Sequence, residues 1–353
     1  MRTLRENTVL ILIKTNYTLY IILLIIALLL FSILNISLGS VNIPFKEVVQ
    51  SLLGNEDMKQ TSYYIIRDYR VPKAITAMLV GSGLSVSGLL MQTLFRNPLA
   101  GPFVLGISSG ASLGVALLVL GTSFLGANIA AIAFSNYGLA IASSLGAFIV
   151  LLAVMIVAQK VRNTMSILII GLMFGSITSA IISVLAYFSS AEQLQQYLFW
   201  SFGSLGNLSW NELILFLIIY ILGMLLVVIL IKPLNTLLLG ENYAKSMGVN
   251  IKKTRNITLI ATALLTGIIT AFSGPIAFVG LAVPHIAKIL FKTSNHKILL
   301  PVTLIIGAIV MLISDIIAQI PNSEYTLPIN AITSLFGAPL VIWLLIRKQK
   351  VIL

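Results

Sequence analysis

Long apolar stretches run down this chain, set apart by short clusters of Gly, Pro, Asn and charged residues. Read between those breakers, the pattern predicts ten helices, at 17–38, 72–94, 99–120, 128–158, 164–188, 210–231, 256–273, 275–292, 298–320 and 329–346. A helix needs about 20 apolar residues to cross a hydrocarbon layer about 30 Å thick, since each residue rises about 1.5 Å. Most of the ten meet that length. The stretch 128–158 exceeds one span, and Asn136 marks the expected break within it. The expected fold class is therefore an all-α polytopic membrane protein with about ten transmembrane helices.

Composition agrees with the pattern. Of 353 residues, 58% are hydrophobic and 9% charged, with a mean hydropathy of +1.06, whereas soluble domains carry about 25% charge. The first apolar run follows Arg2, Arg5 and Lys14, as in a secretory signal. It is too long for one and lacks a small-residue cleavage site, so it reads as a retained span. With no cysteine, disulfides and thiolate metal sites are excluded.

A net charge of +12 would suggest nucleic acid in a soluble protein, but here topology must place the charge first. With the N-terminus inside, all but five of the 22 Lys and Arg fall on cytoplasmic segments. The five exceptions, Lys46, Lys59, Arg67, Arg70 and Lys73, share one outer segment. The positive-inside rule thus puts both termini in the cytoplasm. One transmembrane domain, 1–353, is expected in the cell membrane, with an extracytoplasmic loop at 39–71 and a cytoplasmic loop at 233–255. Lipid is its surrounding, and no nucleic-acid partner is needed.

Small residues crowd the segment from Arg70 to Gly114, including Gly81, Gly83, Gly88, Gly106, Gly110 and Gly114. In lipid such residues let helix backbones approach closely, and at this density they also suit a helix lining a wide pathway. Asn97-Pro98 and Gly101-Pro102 break the chain into a cytoplasmic turn, because proline lacks an N–H and turns its predecessor from helix. Gly106-Ile107-Ser108-Ser109-Gly110 spells a nucleophile elbow, but that device needs a strand before the turn and His and acid partners; a helical span offers none. His285 and His296 lack co-ligands nearby in sequence, and Pro284-His285 is expected to end or kink a helix. No G-x-x-x-x-G-K-[ST] occurs, so an ATP-driven process would need its motor in another chain. Asp315 is the acid that falls well inside a predicted span, near its outer end and one turn before Gln319. A structural hydrogen bond suits it better than ion coupling. The polar stretch from Leu237 to Asn256 suggests a short amphipathic helix, Glu241 to Met247, closed by Gly248 and offered to a partner.

At these residues the chain resembles the FecCD family of ABC importer permeases, which serve ferric siderophores, haem and cobalamin. Six ordered strings carry the resemblance: RVPK, SGLLMQTLFRNPLAGPFVLGISSGASLG, LFWSFGSLGNLSW, LGENYAKSMGV, GPIAFVGLAVPHIAK and LPINAITSLFGAPLVIWLL. It implies a type II importer fold like that of the vitamin B12 permease. It also implies a second permease copy or paralogue, cytoplasmic ATP-binding subunits and an extracytoplasmic substrate-binding protein. No cofactor is expected in this chain, since ATP would be bound by the partner. Glu241, Ala244 and Gly248 would form the ATPase-coupling loop. Arg67, Arg70 and Lys73 would dock the binding protein, in a family that more often has a second arginine where Lys73 stands and an arginine where Gln319 stands. GPFVLG at 101–106 and GPIAFVG at 274–280 would mark an inverted repeat. The function expected is translocation of an iron complex, foremost a ferric siderophore, with haem or cobalamin as alternatives and no enzymatic step. An ion-coupled carrier would require midplane charges, for which Asp315 alone is a poor candidate. An intramembrane enzyme would need a paired nucleophile and base.

Overall fold

The computed structural model describes residues 2–54, 59–122, 135–161, 164–206, 208–319 and 325–349. Among these the chain is helical throughout, with no strand. Seven helices are long and apolar enough to cross a membrane, and three shorter apolar ones accompany them. The predicted segment 128–134 lies outside the described residues.

The helices are α1 (Arg2–Ser37), α2 (Phe45–Leu52), α3 (Gln60–Tyr64), α4 (Val71–Leu94), α5 (Ile107–Val119), α6 (Asn136–Gln159) and α7 (Thr164–Tyr187). After these come α8 (Ala191–Phe202), α9 (Trp210–Leu237), α10 (Glu241–Ser246), α11 (Ile251–Ser273), α12 (Val279–Phe291), α13 (His296–Ala318) and α14 (Ile329–Gln349). The outer segment 39–71 holds α2 and α3, and a π-helical turn, Ile65–Arg70, joins α3 to α4 without a break. α4 is the central post. Some 83% of its most apolar window is buried, against 11% for α1 and 17% for α7. α4 packs on α13, α12, α11 and α9, while α5 packs on α6.

Two predicted spans prove to be half-spans. The stretch 99–120 opens with an extended Gly101, a 3₁₀ turn at Pro102–Leu105 and a left-handed Gly106 (φ 73°), and only then does α5 begin. The stretch 275–292 behaves alike: Gly274 at φ 73° and Phe278 at φ 65° precede α12. GPFVLG and GPIAFVG thus share a positive-φ residue, Gly106 and Phe278, as the N-cap of a short helix, with a 3₁₀ turn before it in the first. Phe278 holds a conformation that costs a side chain energy, and its loop is pinned where the Ala277 N–H donates to Asn330 Oδ1 (3.1 Å). Pro284 lies inside α12, which runs on to Phe291, so of the expected end or kink at Pro284-His285 the end is corrected. α8 was absent from the ten predicted spans. Its capping box, Ser190 with Gln193, starts it as a separate outer helix.

Candidate functional site

At the outer rim the three basic residues of the predicted docking set have different fates. Arg70 ends the π-helical turn, which swings its guanidinium beneath the rim. There it donates to the carbonyls of Ile36 (3.0 Å), Ser37 (2.8 Å) and Val41. Those are orphan acceptors at and beyond the C-terminus of α1, and a cation suits that end of a helix. Arg70 is 8% exposed, so its charge closes α1 rather than facing outward. This corrects the docking assignment for Arg70.

Lys73, one turn on, reaches across to α13. Its Nζ lies 3.1 Å from Asp315 Oδ1. Asp315 Oδ2 accepts from Asn35 Nδ2 (2.9 Å) and from Gln319 Nε2 (2.7 Å). α1, α4 and α13 therefore meet on one buried carboxylate with both oxygens satisfied, which gives Asp315 a structural role. The two departures from the family pattern, Lys73 and Gln319, are partners of the same acid. Lys73 is thus paired within the chain, with 21% of its side chain still exposed. A cleft of about 470 Å³ opens beside it, lined by Lys73, Asp315, Gln319, Phe202, Gly206 and Thr326. Arg67 alone of the three is exposed; it donates to the Tyr63 hydroxyl and lies over that ring, 5.6 Å from its centroid.

The six glycines sit at close crossings inside this one subunit. A Cβ on Gly81 would overlap the Gly307 carbonyl of α13, and one on Gly88 the Gly280 carbonyl of α12. At Gly83 it would meet Ile269 and Tyr220, and at Gly110 and Gly114 the backbone of α6 at Gly146 and Ala142. Gly106 is the left-handed cap already described. These are packing positions, and the sequence signal overlooked was their complement: Gly146, Gly280 and Gly307 lie on the facing helices. An exposed face that carries hydroxyls runs along α7. Its face Leu172, Ser176, Ser179, Ser183, Tyr187 is open at every position, and Ser176 and Ser183 each donate to the carbonyl four residues back. That leaves a weakly polar surface which grips little.

On the cytoplasmic side, α10 is a six-residue helix between Gly240 (φ 118°) and Gly248 (φ 81°). The Gly248 N–H donates to the Lys245 carbonyl (2.9 Å) and that of Val249 to Ala244 (3.0 Å), which closes the helix as expected. Ala244 is fully buried, so its methyl seats α10 on its own chain and is not a surface for a partner. Glu241, half-buried, stands in the first turn, where a carboxylate favours the helix N-terminus. Beside the exposed Asn242, Lys245 and Ser246, the residues exposed at and next to α10 include the apolar Leu239, Tyr243 and Met247, at 65%, 53% and 60% exposure. Sequence reasoning passed these over because apolar residues are common in this chain; their signal is that they stand in a polar loop.

The FecCD transport family model matches residues 24–347. An ABC transporter permease of Bacillus subtilis, YvrB, is 35% identical over 90% of both chains. The vitamin B12 import system permease BtuC of Klebsiella pneumoniae is 36% identical over 79% of this chain and 82% of its own. A solved metal-chelate type ABC transporter in an inward-facing conformation superposes with a TM-score of 0.80 at 30% identity, over 93% of this chain and 99% of its own. ABC importer permeases are multi-pass proteins of the cell membrane that work with ATP-binding subunits and substrate-binding proteins. The match over nearly the full length decides the assignment: this chain belongs to the FecCD transport family, as a permease subunit of an ABC importer.

Proposed function

We propose that two copies of this chain, or one with a paralogue, face each other across α7 and import a metal chelate, foremost a ferric siderophore, between them. The observation that carries the reading is the open hydroxyl-bearing face of α7, which would offer a bulky polar cargo a wall with few strong contacts. Selectivity would then rest with an extracytoplasmic binding protein. ATP would be bound by separate subunits seated on the exposed face of α10, and this chain would hold no cofactor.

The metal-chelate neighbour suits an iron complex and cobalamin alike, since cobalamin is itself a metal chelate, while the vitamin B12 permeases favour cobalamin. Uptake of radiolabelled ferric siderophores, haem and cobalamin, in cells expressing the chain with an ATPase and a binding protein, separates these. Uptake of cobalamin alone would exchange the first cargo for the second. Uptake that persists with a hydrolysis-dead ATPase would reject the reading in favour of ion coupling.

A further inference from the structure

α9 contains Pro233, one turn before its cytoplasmic end, and α13 contains Pro301, one turn after its cytoplasmic start. Proline removes a backbone bond and makes a natural yielding point. A push on α10, three residues beyond α9, would therefore bend the last turn of α9 and be lost unless something stiffened it.

The structure supplies that stiffening. Asn235 lies beyond Pro233. Its Oδ1 accepts from the backbone N–H of His296 (2.8 Å) and lies 2.7 Å from His296 Nδ1, while its Nδ2 donates to Asn295 Oδ1 (2.9 Å). A carbonyl oxygen only accepts, so Nδ1 of His296 carries a proton. Nε2 of the same ring lies 2.9 Å from the Thr93 hydroxyl at the end of α4. His296 is 1% exposed and Thr93 5%. The end of α4 is tied a second time, where Arg96 donates to the Leu237 carbonyl (2.8 Å). Lys288 of α12 joins through Gln92 Oε1 (3.1 Å), and Gln92 Nε2 in turn holds the Leu281 carbonyl (3.1 Å).

We propose that Asn235, His296 and Thr93 form a rigid joint that passes motion of α10 into α4 and α13, bypassing the proline in α9. These are positioning residues, and the inference rests on α10 being the ATPase seat. The joint binds three helices within two bonds of a buried ring, and buried networks of this kind are stiff. With α4 packed along α13 by glycine contacts, both would move as one body.

The test uses the assembled importer in nanodiscs, with a spin-labelled cysteine replacing the exposed Ile317 at the outer end of α13; the native chain has no cysteine to interfere. The readouts are the ATP-dependent change in label-to-label distance between the two permease subunits, ATP hydrolysis, and recovery of the ATPase on the permease. Thr93→Val keeps the volume and removes the hydroxyl; Thr93→Ser keeps it. The expected result is that Thr93→Val and His296→Ala retain assembly and hydrolysis within about twofold, yet populate the ATP-driven distance about fivefold less, an effect the size of one or two lost hydrogen bonds. Thr93→Ser should behave as wild type. An unchanged distance response in both Thr93→Val and His296→Ala would overturn the proposal, as would loss of assembly and hydrolysis in parallel with it. Tyr243→Glu is the separate arm for α10: if it leaves ATPase assembly intact, α10 is not the seat, and that failure is distinct from failure of the joint.

Discussion

The outer and inner edges of this permease each commit an arginine to a helix end, Arg70 to α1 outside and Arg96 to the Leu237 carbonyl of α9 inside, but they differ in what they leave at the surface. Outside, Arg70 closes the end of α1 and Lys73 neutralises Asp315, so two cations are consumed by the fold. Inside, α10 turns Ala244 inward and leaves Leu239, Tyr243 and Met247 at the surface, so the edge is held by a methyl and offers apolar area. Position at a membrane edge therefore does not assign a charge its work. What decides is whether a helix end or a buried carboxylate lies within its reach.

The sharpest way to break this contrast is at Arg70. Arg70→Met should lower the stability of the purified permease by about 3 kcal/mol, because the carbonyls at the end of α1 lose charge-assisted donors. The measurement is thermal unfolding in detergent followed by tryptophan fluorescence. A variant as stable as wild type that fails only to dock a binding protein would restore Arg70 to the surface role.

At the inner edge, Tyr243→Glu should weaken ATPase binding by about 2 kcal/mol, roughly 30-fold, as expected for an aromatic anchor, while unfolding is unchanged. Co-purification across an ATPase titration checks it.

Asp315 gives the next effect. Asp315→Leu should cost about 2 kcal/mol by stranding Lys73 and freeing Asn35 and Gln319, and adding Lys73→Met should recover most of it, since a buried pair replaced together is close to neutral. Failure of the double variant to recover would place the cost in the freed Asn35 and Gln319 rather than in the stranded Lys73.

Arg67→Glu should do least. Its expected effect is a several-fold slower association with the binding protein that shrinks as salt rises, with little change in stability. Stopped-flow association at two ionic strengths would show it.

The sequence made the spans and their direction legible because hydropathy and the lysine distribution are local quantities. It also showed the α10 turn, since Gly248 follows a short amphipathic run. It could not show which basic residues were committed, because Arg70 acts on carbonyls some 30 residues back and Asp315 gathers partners from three helices. The half-spans were hidden for a different reason: Gly101-Pro102 and Gly274-Pro275 read as ordinary boundaries, and only backbone geometry shows that each leads through a positive-φ residue into a short helix. The hydrogen bond favoured for Asp315 is present, from Gln319, though Asn35 and Lys73 as its partners were not foreseen.

Arg70 also has a consequence for how the protein is made. α1 leaves the ribosome before α4, and the residue that closes its end follows about 30 residues later, a delay of a few seconds at ordinary rates of synthesis. During that interval the carbonyls of Ile36 and Ser37 must be served by water, which keeps the end of α1 at the membrane surface until α4 follows. The first span is thus finished by the second, and a nascent chain stalled between them would hold an anchored but incomplete α1.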